Sequence, residues 1–275
     1  MKIRFIAALM GFCVVMGVFA GGNKDSGTEN RGAAPFTIEI GGSTSVTPLM
    51  EQLADEYQKA NPHIKVNING TGSGDGINNA GTLYQIGMSS RELTPAEQGT
   101  GLKETIIAID GIAVIVHRDN PVSDLSIEQI RNIYTGAITD WGQVTGGVKR
   151  GQIAVVSREE GSGTRGAFEE LAGFQGKLLA GANESTSTGA IKAGIAQNPD
   201  AIGYISLGSV DDTIKAVAVG GVPATTGNVA NMSYKIARPF IVLTGKNIRP
   251  ESTTFINWIL GPNGKEIIEK GYVLP

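Results

Sequence analysis

Residues 157–165 have the sequence SREEGSGTR, and they indicate an anion-binding turn between a strand and a helix. The apolar run 153–156 before them predicts a short buried strand, and residues 164–172 predict the first turns of a helix. Gly161 and Gly163 allow a tight turn and leave the backbone amides unshielded. Free amides at the start of a helix, together with the positive end of the helix dipole, attract a small anion.

The side chains of this turn add further donors. Ser162 and Thr164 carry hydroxyls, and Arg158 or Arg165 can supply a two-pronged guanidinium contact. A single Gly-Ser-Gly-Thr turn is more often only the capped start of a helix. The anion-binding interpretation therefore depends on whether similar turns occur elsewhere in the chain.

Three more turns of this kind occur earlier in the sequence, each between a strand-like and a helix-like segment. The full set is a first turn (42–45), a second turn (72–76), a third turn (89–91) and a fourth turn (161–164). In an open parallel sheet, ligands bind beyond the carboxyl ends of the strands, where such turns converge. The four turns together predict one oxyanion site that is built from preorganised hydroxyls and amides.

The rest of the chain alternates between strand-like and helix-like segments. Strands are predicted at 36–40, 63–68, 84–88, 105–109, 111–117, 153–156 and 201–205. Helices are predicted at 48–60, from 77, and at 126–134, 164–172, 190–197, 252–260 and 263–270. This alternation predicts an α/β fold with mostly parallel sheets. The dipeptide Asp110-Gly111 is expected to interrupt the β segments on either side of it. Residues 119–121 are predicted to cross into a second half, and residues 233–243 to return to the first.

The first twenty residues are typical of a secretory signal peptide. Lys2 and Arg4 precede an almost wholly apolar run, and residues 18–20 (VFA) form a small-residue cleavage site. The apolar run is shorter than the roughly 20 residues of a membrane span, which is the alternative. Residues 21–35 are polar and Gly-rich, and they predict a flexible tether. We therefore expect export to the periplasm or to the outer face of the cytoplasmic membrane, with the mode of anchoring left open.

The composition excludes several functional classes. Without Lys2 and Arg4, 21 basic residues face 26 acidic ones, and this formal charge of −5 argues against nucleic acid as a partner. The only cysteine, Cys13, lies in the predicted signal peptide, so neither disulfides nor thiol catalysis are expected in the exported chain. Only two histidines are present, and they are far apart in sequence, so no metal site and no cofactor are predicted.

The fourth turn also invites comparison with the turn that carries a nucleophilic serine. Such a serine needs a base within hydrogen-bond reach, which is usually a histidine. His63 opens a predicted strand and His117 ends one, and neither position predicts an approach to Ser162. The second turn lacks the lysine that a nucleotide-binding loop would use. The sequence therefore predicts no catalytic residue and no enzymatic activity.

Seven stretches of the sequence, taken in order, resemble the phosphate-binding protein of bacterial phosphate ABC importers. They are GSTSVTPLMEQLADEY, TGSGDGI, GMSSREL, DGIAVIV, NPVSDLSIEQIRNIYTGAITDW, SREEGSGTRGAFEE and AIGYISLGSV. The resemblance implies a two-lobed periplasmic-binding-protein fold of type II, with two hinge crossovers and a mostly parallel, helix-flanked sheet in each lobe. Lobe 1 is then expected to hold residues 36–117 and 234–275, and lobe 2 residues 118–233.

The resemblance also implies which residues bind phosphate. The implied set is Thr44, Ser45, Ser73, Ser90, Arg158, Ser162, Gly163 and Thr164. Some family members carry an aspartate where this chain has Ser90, and that carboxylate accepts the proton of hydrogen phosphate and rejects sulfate. Asp75 and Asp110 are the alternative acceptors in this chain, and Arg91 is a further candidate donor.

The function that follows is that of an extracytoplasmic receptor for inorganic phosphate. The resemblance implies that it delivers phosphate to the membrane permease and ATPase of an ABC importer, and a monomer is expected. Three alternatives stay open at this point. They are a receptor for another tetrahedral oxyanion such as sulfate or arsenate, a secreted phosphate-ester hydrolase, and an adhesin that has kept the fold.

Overall fold

The computed structural model describes residues 34–149 and 151–275. The predicted signal peptide and almost all of the predicted tether lie outside the described residues. The first part of the fold contains β1 (Phe36–Gly42), α1 (Thr47–Ala60), β2 (Ile64–Gly70), α2 (Ser73–Asn79), β3 (Ile86–Ser89), α3 (Pro95–Gln98) and β4 (Lys103–His117). Among the described residues, no helix combines the length and the apolar character that crossing a membrane requires.

The chain then forms a second group of elements and returns to the first. The second group is β5 (Asp124–Leu125), α4 (Ile127–Tyr134), α5 (Gly142–Thr145), β6 (Ala154–Arg158), α6 (Gly163–Ala172), β7 (Asn183–Ser185), α7 (Thr188–Gln197), β8 (Ala201–Ser206), a 3-10 turn (Leu207–Ser209), β9 (Ile214–Val219) and α8 (Thr226–Ala230). The returning elements are β10 (Ala237–Thr244), α9 (Pro250–Leu260) and α10 (Pro262–Ile268).

The strands form one mixed sheet in the order β2-β1-β3-β10-β4-β8-β6-β7, with β9 beside β4 and β5 beside β9. The α/β class is confirmed, and the pairs on both outer sides are parallel: β1 with β2 and β3, and β6 with β7 and β8. In the middle, β10 and β4 pair antiparallel with each other, β10 with β3, and β4 with β8 and β9. The sheet is mixed because these two strands carry the chain between its two halves.

Strand β4 is a single strand of 15 residues, so the predicted interruption at Asp110-Gly111 is wrong. Both residues keep their places in the ladder, because Asp110 pairs with Arg238 and Gly111 pairs with Ala237 on β10. Glycine and aspartate disfavour strands on average, but pairing with β10 overrides that local preference.

Two hydrophobic cores flank this sheet. The first core surrounds β1, β3 and β10, and its large side chains include Ile38, Met88, Phe240, Phe255 and Tyr272. The second core surrounds β6, β8 and the end of β4, and it includes Trp141, Phe168, Ile191, Ile202 and Tyr204. Residues 112–116 of β4 pack in the second core, as do Tyr234 and Ile236. The division into lobe 1 (36–117 and 234–275) and lobe 2 (118–233) stays a prediction.

The helices next to the predicted turns begin where local chemistry favours a start. Ser126 and Gln129 form a reciprocal capping box at α4, as the stretch 126–134 predicts. Ser162 and Ser187 cap α6 and α7, because each hydroxyl accepts a hydrogen bond from a backbone amide three residues later. The fourth turn is therefore a capped helix start, and its surroundings decide whether it is also part of a site.

Candidate anion-binding site

The first three turns pack tightly against one another through glycine. Gly42 has φ of 133°, and a Cβ at this position would lie 2.2 Å from the carbonyl oxygen of Met88. A Cβ at Gly76 would lie 2.6 Å from the same oxygen. The amide of Ser43 donates to this carbonyl at 3.0 Å. Since only glycine allows this approach, the ends of β1 and β3 and the start of α2 meet at one place.

Seven hydroxyl side chains meet where the turns converge, and we call them the hydroxyl cluster. Its members are Ser43, Thr44, Ser45, Ser73, Ser90, Thr164 and Thr188. Thr44 is half-buried and the other six are buried. On the side of the first core, Ser43 Oγ donates to Ser90 Oγ at 2.9 Å, and Ser73 Oγ lies 3.3 Å from Ser90 Oγ.

The hydroxyl cluster also joins the two cores. Thr164, in the first turn of α6, places its Oγ1 2.7 Å from Ser45 Oγ and 3.4 Å from Ser90 Oγ. Thr188, the first residue of α7, places its Oγ1 3.1 Å from Ser45 Oγ and 3.3 Å from Thr44 Oγ1. Because both α6 and α7 belong to the second core, the predicted convergence of turns brings hydroxyls together from both sides.

The backbone of the fourth turn fits closely against the second turn. A Cβ at Gly163 would lie 2.3 Å from Ser73 Oγ and 2.9 Å from Ser90 Oγ, so any side chain there would displace the hydroxyl cluster. The amide of Gly74 donates to the carbonyl of Gly161 at 3.0 Å. Ser162 lies at the same contact, with its hydroxyl accepting from the amide of Arg165 at 3.3 Å.

Arg158 lies three residues before the fourth turn, and its side chain is only 2% exposed. Its Nε and Nη2 atoms donate to the two carboxylate oxygens of Glu159, each at 2.8 Å, and Nη2 also reaches the carbonyl of Thr186 at 3.5 Å. Glu159 is only partly buried, and its carboxylate lies beside Gly72 of the second turn. Among the described residues, no hydrogen bond joins the Arg158 side chain to the hydroxyl cluster.

The other arginine of this turn has different partners. Arg165 Nε donates to Glu169 at 2.8 Å, and its Nη1 donates both to Glu184 and to the carbonyl of Arg158, each at 2.8 Å. Tyr204 supports the end of β6 because its hydroxyl accepts from the Arg158 amide at 3.2 Å. Burial raises the pKa of this phenol to about 12, so the hydroxyl stays protonated.

Asp75, a candidate proton acceptor, is fully engaged within its own turn. Its carboxylate accepts from Thr71 Oγ1 at 2.5 Å, from Asn79 Nδ2 at 2.8 Å and from the hydroxyl of Tyr84 at 2.8 Å. These donors hold the carboxylate beside β1 and β3, and no hydrogen bond joins it to a described member of the hydroxyl cluster.

Asp110, the second candidate acceptor, lies where β4 and β10 pass between the cores. Its Oδ1 accepts from Ser206 Oγ at 2.9 Å, and its Oδ2 lies 3.1 Å from Nη2 of Arg238. Both side chains of this ion pair are almost completely buried. Burial raises the pKa of Asp110 to about 6, against the opposing effects of Arg238, Ser206 and two backbone amides. The pair lies on the strands that connect the cores, and no described member of the hydroxyl cluster hydrogen-bonds to it.

Arg91, the further candidate donor, forms a two-pronged ion pair with Glu97. Its Nη1 and Nη2 donate to the two carboxylate oxygens at 2.7 and 2.8 Å. These hydrogen bonds lower the pKa of Glu97 to about 2. The Arg91 side chain packs against Gly166 of α6, at the rim of a cavity of about 490 Å³ between α6, β10 and residues 91–95. The geometry therefore places Arg91 beside the site rather than among the hydroxyls.

The structure thus brings together five of the side chains that the resemblance implies, and Gly163 abuts two of them. The five are Thr44, Ser45, Ser73, Ser90 and Thr164. Sequence reasoning missed Ser43, which precedes the implied pair in the first turn, and Thr188. The only local signal for Thr188 was the Ser-Thr-Ser-Thr run at 185–188, which also predicts nothing more than a helix cap.

The chemistry that this arrangement can perform is recognition of an anion. Buried hydroxyls supply several donors at one place, and the buried guanidinium of Arg158 belongs to the strand end just before the fourth turn. His117 accepts a hydrogen bond from the Asp119 amide, and no described histidine contacts Ser162. Among the described residues, no group of three or more His, Cys, Asp or Glu side chains could hold a metal ion.

The fold and the hydroxyl cluster together are typical of a class: a substrate-binding protein whose two halves are joined by crossing strands and meet around a set of buried polar side chains. Residues 23–263 match the PBP superfamily domain. The phosphate-binding protein PstS of Bacillus subtilis is 31% identical over 219 residues, with 78% of this chain and 71% of the relative covered. PstS of Borreliella burgdorferi is 29% identical over 248 residues, with 85% and 88% covered. The chain belongs to the PBP superfamily and, within it, to the family of PstS phosphate-binding proteins.

Solved structures support the same assignment of fold. A Clostridium perfringens protein with bound phosphate, described as a phosphate ABC transporter substrate-binding protein, is 45% identical with a TM-score of 0.84. The comparison covers 86% of this chain and 98% of that one. An ABC-type phosphate transport receptor from Vibrio cholerae is 37% identical with a TM-score of 0.70, covering 86% and 100% of the two chains. The two-lobed architecture expected from the sequence is therefore confirmed.

Proposed function

We propose that this protein is an extracytoplasmic receptor that binds inorganic phosphate and delivers it to an ABC importer. The observation that carries the proposal is the hydroxyl cluster, in which buried hydroxyls from two separate cores converge. A buried set of neutral donors is costly unless it has an acceptor that uses them, and a tetrahedral oxyanion accepts several hydrogen bonds at once. The names of the solved relatives support phosphate as that anion.

The residues proposed to bind phosphate fall on both sides of the cleft, by which we mean the boundary between the two cores at the hydroxyl cluster. Thr44, Ser45, Ser73 and Ser90 act from the first core, and Ser162, Gly163 and Thr164 act through the start of α6. Arg158 completes the shell by exchanging part of its contact with Glu159 for the anion. Its guanidinium is already buried, so a charged partner there gains strength from the low local dielectric.

The proposed mechanism is closure of the two lobes over the anion. The hinge lies where β4 and β10 pass from one core to the other, near Asp110 and Arg238. An open form exposes the donors of each side, and only the closed form brings both sets within reach of one ligand. Phosphate therefore shifts the population towards the closed form by its differential binding. The closed monomer would dock on a membrane permease driven by a cytoplasmic ATPase.

The proposal is tested by calorimetric titration of the ligand-free exported protein with phosphate, sulfate and arsenate at several pH values. Tight phosphate binding with sulfate ignored is the expected result. Equal binding of phosphate and sulfate would show that Ser90, which replaces a proton-accepting aspartate, has relaxed the selectivity. Failure to bind any of the three anions would overturn the proposal and favour an adhesin.

A second assay separates a receptor from a hydrolase on the same fold. Incubation with a chromogenic phosphomonoester is expected to give no turnover, because no described histidine contacts Ser162 to act as its base. Hydrolysis of the phosphomonoester that is abolished by Ser162→Ala would identify an esterase and contradict the assignment as a receptor.

A further inference from the structure

Thr188 occupies a position in the hydroxyl cluster that its role in α7 does not require. The cap of α7 is Ser187, whose hydroxyl accepts from the amide of Ala190 at 3.1 Å. Thr188 follows it, is 6% exposed, and directs its side chain towards the first turn on the opposite core. The helix therefore has its own cap, and the Thr188 hydroxyl is free to make contacts elsewhere.

The hydroxyl and the backbone N–H of Thr188 both contact the first turn. Its Oγ1 lies 3.1 Å from Ser45 Oγ and 3.3 Å from Thr44 Oγ1. Its backbone N–H donates to Thr44 Oγ1 at 3.3 Å. This amide is one of the first N–H groups of a ten-residue helix, so it also carries the positive end of the helix dipole.

Hydroxyl–hydroxyl contacts can be rearranged when a stronger acceptor enters. Each hydroxyl has one proton, and a hydrogen bond to an anion is stronger than one to another hydroxyl. When an oxyanion takes the protons of Thr44 and Ser45, the donors of Thr188 lie within reach of the same ligand. The second core then contributes the starts of two helices, α6 through Thr164 and α7 through Thr188.

We propose that Thr188 is a further anion-contacting residue, whose hydroxyl and backbone N–H bind the same oxyanion as Thr44 and Ser45. This inference rests on the proposed function. It gives the site a fifth turn, which precedes α7 and faces the first turn across the cleft. The contact between Thr188 and the anion forms only when the two cores approach. Thr188 therefore affects the rate at which phosphate dissociates from the closed complex.

The test compares Thr188→Val with Thr188→Ser by measuring phosphate affinity and the dissociation rate. Valine keeps the shape and the backbone N–H but loses the hydroxyl, whereas serine keeps the hydroxyl. We expect Thr188→Val to weaken phosphate binding by about tenfold, mainly through faster dissociation, because a hydrogen bond to a charged group is lost. Thr188→Ser should stay within about threefold of the wild type. Thr225→Val is the matched control, because Thr225 caps α8 outside the site and should leave affinity unchanged.

The melting temperature of the ligand-free variants separates binding from folding. Weaker binding by Thr188→Val with an unchanged ligand-free melting temperature and rescue by serine supports the inference. Unchanged affinity overturns it, as does a loss that serine fails to restore and that accompanies a lower melting temperature. If the wild type itself binds no phosphate, the proposed function fails, and this result is distinct from equal binding by wild type and variant.

Discussion

Two buried arginines lie near the meeting point of the cores, and their partners differ in one important respect. Arg158 pairs with the adjacent residue Glu159, whose side chain is 26% exposed. Arg238 pairs with Asp110, which is distant in sequence and only 1% exposed. Arg158 makes two hydrogen bonds of 2.8 Å to Glu159 and a long one of 3.5 Å to Thr186. In the described part of the chain, neither the three guanidinium nitrogens of Arg238 nor Oδ2 of Asp110 has a hydrogen-bond partner, so this pair is held by charge alone.

The difference in exposure between Glu159 and Asp110 indicates which of the two arginines can exchange its acidic partner for a ligand. Glu159 can turn towards water when an anion replaces it, because its carboxylate is already at the edge of solvent. Asp110 has no such route, since leaving Arg238 would isolate two charges in a dry interior. We therefore assign Arg158 to ligand binding and Arg238 to holding β4 and β10 together. Substitution of each arginine by alanine tests that assignment.

The largest effect is expected for Arg238→Ala. Removing one partner of a buried ion pair leaves an uncompensated charge on Asp110, so the free energy of unfolding should fall by about 3–5 kcal/mol. The phosphate affinity of the folded fraction should stay within about threefold of the wild type. Chemical denaturation and calorimetry measure the two quantities separately. A double variant, Asp110→Leu with Arg238→Met, should recover much of the lost stability, because it removes both charges. Loss of affinity with unchanged stability would reverse the assignment of the two arginines.

The opposite result is expected for Arg158→Ala. Phosphate binding should weaken by about 100-fold, equivalent to about 3 kcal/mol, because a buried charged donor is lost. The ligand-free protein should lose less stability than Arg238→Ala, since Glu159 can then be hydrated. Arg165→Ala is the control, because that arginine pairs with Glu169 and Glu184. Normal phosphate binding by Arg158→Ala would refute its assignment to the site.

The pH dependence of stability should report on Asp110. Its pKa in the folded protein is about 6 compared with an ordinary value of 3.8, because burial disfavours the carboxylate. The folded protein therefore binds this proton more tightly than the unfolded chain does. The resulting stabilisation is complete below pH 3.8 and is lost as pH rises through 6. As pH rises, this pKa shift should lower the free energy of unfolding by about 3 kcal/mol in the wild type. Asp110→Asn lacks the titrating group and should not show this decrease.

The measurement is chemical denaturation of the wild type and of Asp110→Asn between about pH 4 and pH 7. The difference between the two proteins isolates Asp110, because all other carboxylates titrate in both. The free energy of unfolding of the wild type should fall relative to that of Asp110→Asn as pH rises. A change of the opposite sign would mean that Arg238 outweighs burial and keeps Asp110 ionised in acid. The Asp110–Arg238 pair would then resemble an ordinary stabilising ion pair.

The same contrast explains how far the sequence alone could predict this molecule. The fourth turn was predictable because its strand, glycines, hydroxyls and helix are contiguous, and the structure has β6 and α6 on either side of it. Thr188 was not, because its contacts reach 143 and 144 residues back along the chain and depend on the approach of two cores. The pairing of Arg238 with Asp110 is likewise non-local, and a lone arginine before a proline carries no pattern that predicts burial.

Local residue preferences also gave a wrong prediction for β4, where pairing within the sheet overrides them. Asp110-Gly111 is a typical interruption of a strand, yet both residues continue β4, because β10 pairs with them on one side. Ser206 of β8 and two amides of the 3-10 turn after it stabilise the Asp110 carboxylate. The alternation of strands and helices predicted the α/β class and the outer parallel pairs. It could not predict that two strands would run against them, because strand direction depends on where the chain crosses between cores.

The smallest and most discriminating effect is expected for Glu159→Gln. The Glu159 carboxylate accepts hydrogen bonds from Nε and Nη2 of Arg158, which are the donors that a phosphate oxygen would use in the proposed site. Glutamine keeps the size and one oxygen acceptor but removes the competing charge, so phosphate should bind about fivefold more tightly, a gain of about 1 kcal/mol. Glu160→Gln is the matched control, since that neighbour is exposed and its removal changes the net charge equally. Calorimetry at two salt concentrations separates the local effect from the general one, because salt screens exposed charges. Weaker binding by Glu159→Gln would show that the carboxylate holds Arg158 in place for the anion. Glu159 would then be a fixed partner of its arginine, as Asp110 is, despite its greater exposure.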